Sequence, residues 1–104
     1  MALLHVRSIV PKIDEIRYFL QCVHLDIFTI SETWLDKNVD SSEIAVSGYN
    51  LLRVDRNRHG GGVALYIKNH ITFNLREDLT HDDTESIWIE VRLPNQPPVL
   101  VCYL

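Results

Sequence analysis

The chain has 104 residues, 46% of them apolar and 23% charged: room for one small domain or part of a larger one, and too much apolar material for a disordered segment. Ten Lys and Arg against fourteen Asp and Glu give a formal net charge of −4, which excludes a basic clamp holding nucleic acid by counterion release alone; any phosphate site has to be local. No apolar run is as long as a membrane span, and Met1-Ala2-Leu3-Leu4-His5-Val6-Arg7 is broken too early for a signal peptide, so an intracellular protein, neither secreted nor membrane-bound, is expected.

Leu3 to Val6 fits a short first strand. The spacing of Ile13, Ile16, Leu20 and Val23 predicts a helix over Pro11 to Val23. Pro11 suits its first position, where the missing N–H costs nothing, and Asp14 and Glu15 suit the positive end of the macrodipole. Leu25 to Ser31 is apolar or small on both sides of a two-residue alternation, the pattern of a central strand covered on both faces. Asp36 to Ser42 is polar and reads as loop. Tyr49 to Val54 reads as strand and runs into Arg53-Val54-Asp55-Arg56-Asn57-Arg58-His59-Gly60-Gly61-Gly62, a loop closed by three glycines.

Val63, Leu65 and Ile67 alternate with Ala64, Tyr66 and Lys68; Ile71, Phe73 and Leu75 alternate with Thr72, Asn74 and Arg76. The short Asn69-His70 connection between them predicts a hairpin. Ile87 to Leu93 alternates in the same way and leads through Pro94-Asn95-Gln96-Pro97-Pro98 to a last strand, Val99 to Leu104. About six or seven strands with one good helix imply an α+β fold, largely antiparallel, with the helix on one side. No repeat or linker divides residues 1–104. The last strand runs out with neither turn residue nor charge, as in a domain truncated at its C-terminal end. Cys22 and Cys102 lie far apart in apolar stretches and are expected to be reduced core thiols.

Glu32 places a carboxylate at the carboxyl end of the expected central strand, where open sheets commonly face ligands. Mg²⁺ asks for one or two carboxylates, with water and phosphate oxygens filling its other positions, and Glu32 could supply one; capping of the following turn is the plainer alternative. Arg53, Arg56, Arg58 and His59 beside the glycines offer a local phosphate or nucleic-acid contact, but from the residues alone a solvated loop whose glycines permit positive φ is the favoured reading. No Lys-Ser/Thr completes a P-loop. His81-Asp82-Asp83 reads as an exposed acidic stretch rather than a metal pair. No Gly-x-Ser-x-Gly elbow is present, so metal-assisted chemistry is the enzymatic option that remains.

Val6-Arg7-Ser8-Ile9-Val10-Pro11-Lys12-Ile13-Asp14-Glu15-Ile16-Arg17, then Ile30-Ser31-Glu32-Thr33-Trp34-Leu35, Gly48-Tyr49, and Arg53 through Tyr66 follow one another in an order and spacing that closely resembles a known family. It is the endonuclease/exonuclease/phosphatase domain of non-LTR (LINE-type, jockey- or chicken-repeat-like) retrotransposon polyproteins. The resemblance implies the N-terminal half of a four-layer sandwich of two mainly antiparallel sheets flanked by helices. It also implies that Glu32 ligates a catalytic Mg²⁺ or Mn²⁺, that DNA is the partner, and that the complete domain nicks target DNA to prime reverse transcription, with nuclear access following from that role.

At the first strand the family has Asn where this sequence has His5, whose ring differs from an amide in reach and pKa. The family's later Tyr-Arg-Pro-Pro, Gly-Asp-Phe-Asn and Ser-Asp-His motifs are not within these residues. Little or no activity is therefore expected of the isolated chain, since catalytic groups that work as a unit lose most of their effect apart. The other expectation is a non-catalytic retroelement remnant or interaction module that self-associates through an uncovered sheet face.

Overall fold

The computed structural model describes residues 2–5, 8–56, 60–79 and 86–103, with residues 2–5 and 103 given by their backbone alone. Seven strands and one α-helix are found among them: β1 Ala2–His5, α1 Ile13–Cys22, β2 Ile27–Ser31, β3 Tyr49–Val54, β4 Val63–Lys68, β5 Thr72–Leu75, β6 Ile87–Arg92 and β7 Val99–Tyr103. Pro11 sits in a one-turn 3₁₀ segment, Val10–Lys12, that leads into α1, so the helix begins two residues later than its spacing predicts. No helix among the described residues is long and apolar enough to cross a membrane.

The strands form two sheets, ordered β1-β2-β4-β3 and β5-β6-β7. Only the β1–β2 pair is parallel, and α1 lies in the connection between those two strands, as a parallel pair requires. Ile13, Ile16 and Leu20 of α1 are buried against Phe28 and Ile30 of β2 and Ala64 and Tyr66 of β4. Val23, expected on the same stripe, is 40% exposed, because the helix has ended at Cys22 and Val23 is already extended. On the opposite face, Val63, Leu65 and Ile67 pack with Ile87, Ile89 and Val91 of β6 to fill the space between the sheets. The result is three layers: helix and loops, first sheet, second sheet.

β2 is the interior strand its composition predicts, paired on both sides. β4 is equally interior, and this corrects the expected hairpin. Both edges of β4 are taken, by β2 and β3, so β5 has no edge of β4 to pair with; instead it crosses over and pairs with β6. The thiols also differ from expectation. Both are free, but Cys22 is exposed and Cys102 half-buried, because Cys22 closes α1 on the side away from the core.

Tyr66, fully buried, donates its hydroxyl to the Ile44 carbonyl at 2.7 Å and so ties β4 to the 41–46 loop. Burial pushes its phenol far above the ordinary tyrosine range, so the donor keeps its proton at any ordinary pH. Tyr66→Phe orphans that buried carbonyl and is expected to cost about 1–2 kcal/mol, read as a lower urea midpoint with unchanged m. An unchanged midpoint would show that the carbonyl finds another donor.

Candidate functional site

Three stretches of chain converge where β1 and β2 end. β1 pairs with β2 in a register that sets His5 opposite Ser31, so the first-strand position singled out in the sequence stands one residue from Glu32 along the neighbouring strand. Beyond Ser31 the chain turns sharply: Glu32 and Trp34 have φ of 58° and 56°, and Ser8, after β1, has φ of 70°. Such left-handed conformations cost a non-glycine residue about 1–3 kcal/mol each and persist only where surrounding contacts hold them.

Those contacts are backbone hydrogen bonds. Ser8 and Ile9 N–H groups donate to the carbonyls of Glu32 and Thr33 at 3.1 and 2.9 Å, joining the first turn to the second. Thr33 and Trp34 N–H groups donate to the carbonyls of Gly62 and Gly61 at 3.4 and 3.0 Å, joining the second to the glycine loop. Gly62, at φ 95°, presses on Thr33 so closely that a Cβ there would run into Thr33 Oγ1. Thr33 is fully buried, and its hydroxyl has no hydrogen-bond partner among the described residues. The glycines therefore do more than permit a turn: they let the 60–62 backbone lie against the residues that carry Glu32.

Within this knot the half-buried Glu32 carboxylate accepts two hydrogen bonds on Oε2. One comes from the indole Nε1–H of Trp34 at 3.0 Å, the other from the backbone N–H of Gly61 at 3.2 Å. Glu32 thus stands at a strand end, fixed by donors from two loops, as a carboxylate with an orienting task would be. No group of three or more His, Cys, Asp and Glu side chains converges among the described residues, so Glu32 belongs to no larger ligand cluster there. That fits the modest protein share of a Mg²⁺ shell, one or two carboxylates with water and phosphate supplying the rest. Grooves of about 320 and 330 Å³, lined respectively by residues such as Leu52, Leu75 and Ile87 and by Ile27, Ile71 and Val101, lie elsewhere, and Glu32 lines neither.

The basic residues divide. Arg53, on β3, has a side chain only 15% exposed, and its guanidinium is engaged by Asp55 and by the Asp36 and Val39 carbonyls. Arg56 is exposed, its guanidinium lying against Gly60, 3.1 Å from where a Cβ at that position would sit. Arg58 and His59, like His81-Asp82-Asp83, lie outside the described residues. The residues that hold Glu32, Trp34 and Gly61, were not singled out as site residues by their types. The available signals were the Trp two positions beyond the Glu and a glycine run longer than one turn needs.

A model of the endonuclease/exonuclease/phosphatase family matches residues 3–104. Among solved structures, the AP endonuclease LMAP from Leishmania major is similar, with a TM-score of 0.70 at 16% sequence identity. The likeness covers 96% of this chain and 38% of that one, so the chain spans well under half the length of that enzyme. At this identity the likeness shows the fold: an α+β, mainly antiparallel fragment of the DNase I-like sandwich. No curated protein matches the chain.

Proposed function

The chain belongs to the endonuclease/exonuclease/phosphatase family, and from that premise we propose that it is the Glu32-bearing portion of a metal-dependent endonuclease of the non-LTR retrotransposon type. The observation that carries the proposal is the Glu32 carboxylate, held by Trp34 and Gly61 donors at the end of β2 and one residue from the register partner of His5. Ser31-Glu32-Thr33-Trp34-Leu35 followed by Asp55-Arg56-Asn57-Arg58-His59-Gly60-Gly61-Gly62-Val63-Ala64 supports the retrotransposon branch over phosphatases acting on small phosphoesters.

Glu32 binds Mg²⁺ or Mn²⁺, which when bound supplies Lewis-acid polarisation of a DNA phosphate oxygen. Arg56, Arg58 and His59 contact the DNA backbone, and Arg53 contributes by fastening the 36–41 loop to the end of β3. His5 occupies the place of an asparagine amide and positions phosphate less well, its ring differing from an amide in reach and pKa. Acting on DNA of the host, the complete protein works in the nucleus.

As an isolated chain of 104 residues it is inactive, lacking the Gly-Asp-Phe-Asn and Ser-Asp-His groups that would orient and deprotonate the attacking water. A second reading, a non-catalytic remnant that pairs with another chain, is favoured by one observation. β7 ends the second sheet with Val99 45% and Leu100 49% exposed, and the strand carries no charge to blunt its edge.

Supercoiled plasmid incubated with Mg²⁺ and either the chain or its Glu32→Gln variant is expected to stay intact in both cases. Nicking by the chain that the variant lacks would overturn the inactivity. Where the reading frame continues through Tyr-Arg-Pro-Pro, Gly-Asp-Phe-Asn and Ser-Asp-His, the extended chain is expected to nick and its Glu32→Gln variant to fail. A frame without them decides for the remnant.

A further inference from the structure

Glu32 and Trp34 are two residues apart, and in an extended strand their side chains would leave the same face about 6–7 Å apart. Here both residues are left-handed, and the turn brings the indole Nε1–H back to 3.0 Å from Oε2. Neither residue is a glycine, so the conformation is unfavourable for both. It is held by backbone bonds from outside the turn: Ser8 N–H to the Glu32 carbonyl at 3.1 Å and Trp34 N–H to the Gly61 carbonyl at 3.0 Å. Gly61, which accepts the second of these bonds, also presents its own N–H to the same Oε2 at 3.2 Å. Two donors from two directions meet on one oxygen and fix its position.

From this geometry we infer that Trp34 is a positioning residue for the cation-binding carboxylate, acting through its ring N–H rather than through its bulk. The inference rests on the reading of Glu32 as a cation ligand. A carboxylate that must rotate into place loses affinity for a cation whose other ligands are water, because the protein supplies so little else to hold it. Partners of this kind are worth about 10–100-fold in metal affinity where they have been removed from metal sites. A ring that served only as packing would lose little on replacement by phenylalanine. A ring that serves through its N–H loses its role while most of its apolar contact remains.

The test uses Mn²⁺ alone, followed by the electron paramagnetic resonance signal of the free ion, on the full chain. The unaltered chain is expected to bind Mn²⁺, Glu32→Gln to lose that binding, and Trp34→Phe to bind about tenfold more weakly with its urea midpoint unchanged. In a Trp88→Phe background all tryptophan emission comes from Trp34, since the chain has two tryptophans, and Mn²⁺ is expected to quench it. In Trp34→Phe the remaining Trp88 emission, from β6, is expected to stay constant.

Equal Mn²⁺ affinity in Trp34→Phe and the unaltered chain would overturn the positioning role while leaving Glu32 a ligand. Equal binding by the unaltered chain and Glu32→Gln would instead remove Glu32 from the cation, and the functional reading would fall with it. If Trp34→Phe unfolds, the Trp88→Phe chain decides: Mn²⁺ bound without quenching of Trp34 rejects the inference.

Discussion

Replacing Gly62 with alanine is expected to destabilise the protein by about 2–4 kcal/mol, the sum of a left-handed conformation forced on a residue with a Cβ and a collision with a buried side chain. The backbone at Gly62 has φ of 95°, and the added Cβ would run into Thr33 Oγ1 and sit 3.4 Å from the Val54 carbonyl oxygen. Thr33 cannot yield easily, since it is fully buried and its own N–H is bonded to the Gly62 carbonyl. Gly48 supplies the control. Its φ is 87°, yet nothing lies within 4 Å of where a Cβ would stand, so Gly48→Ala carries the conformational cost alone. The difference between the two urea midpoints isolates the collision.

The same collision predicts non-additivity. Thr33→Ala removes the hydroxyl that the new methyl meets, so the double variant Gly62→Ala/Thr33→Ala should be more stable than the sum of the single effects allows. Because the Thr33–Gly62 and Trp34–Gly61 bonds also carry Glu32 and its donors, Gly62→Ala should weaken Mn²⁺ binding along with stability. Equal costs at Gly48 and Gly62 would show that the 60–62 loop backs away freely and that the knot around Glu32 is looser than its hydrogen bonds imply.

The strands were readable from alternation because burial acts residue by residue: Tyr49–Val54 and Ile87–Arg92 emerge within a residue of their expected ends. Pairing was less readable. Val63–Lys68 and Thr72–Leu75 alternate and are joined by a short link, which is all a hairpin shows locally, but which strand pairs with which is decided by edges already occupied. Ala64 and Tyr66 held the missing information, a small and an aromatic residue on the face that a hairpin would have left to solvent, both now buried under α1.

Glu32 was legible as a carboxylate at the end of an apolar strand. Its setting was not, because left-handed Glu32 and Trp34 break the preference of their residue types and are held by loops distant in sequence. Composition also treats all arginines alike. It grouped Arg53 with Arg56, although one is enclosed and the other exposed.

Arg53→Ala is expected to cost about 2–3 kcal/mol, because a charge-assisted network loses the donor group that several of its acceptors share. Arg53 Nη2 meets Asp55 Oδ2 at 2.6 Å and the Asp36 carbonyl at 2.9 Å, while Nη1 donates to the Val39 carbonyl at 2.8 Å and Ser41 Oγ at 3.3 Å. One planar fork thereby fastens the 36–41 loop to the end of β3, from which the chain enters the basic loop. Truncation leaves Asp55, only 23% exposed, without this partner and frees the Asp36 and Val39 carbonyls from theirs. Lysine should recover little, since a single ammonium cannot span acceptors arrayed around a plane. Arg56→Ala, on an exposed side chain, should stay within about 1 kcal/mol of the parent in stability. In the extended chain the two changes should separate in the opposite sense on DNA. Arg56→Ala lowers the salt dependence of binding by about one counterion, whereas Arg53→Ala leaves that slope unchanged under conditions where the protein stays folded. An unaltered urea midpoint in Arg53→Ala together with a reduced salt slope would reverse the assignment and make Arg53 a phosphate contact.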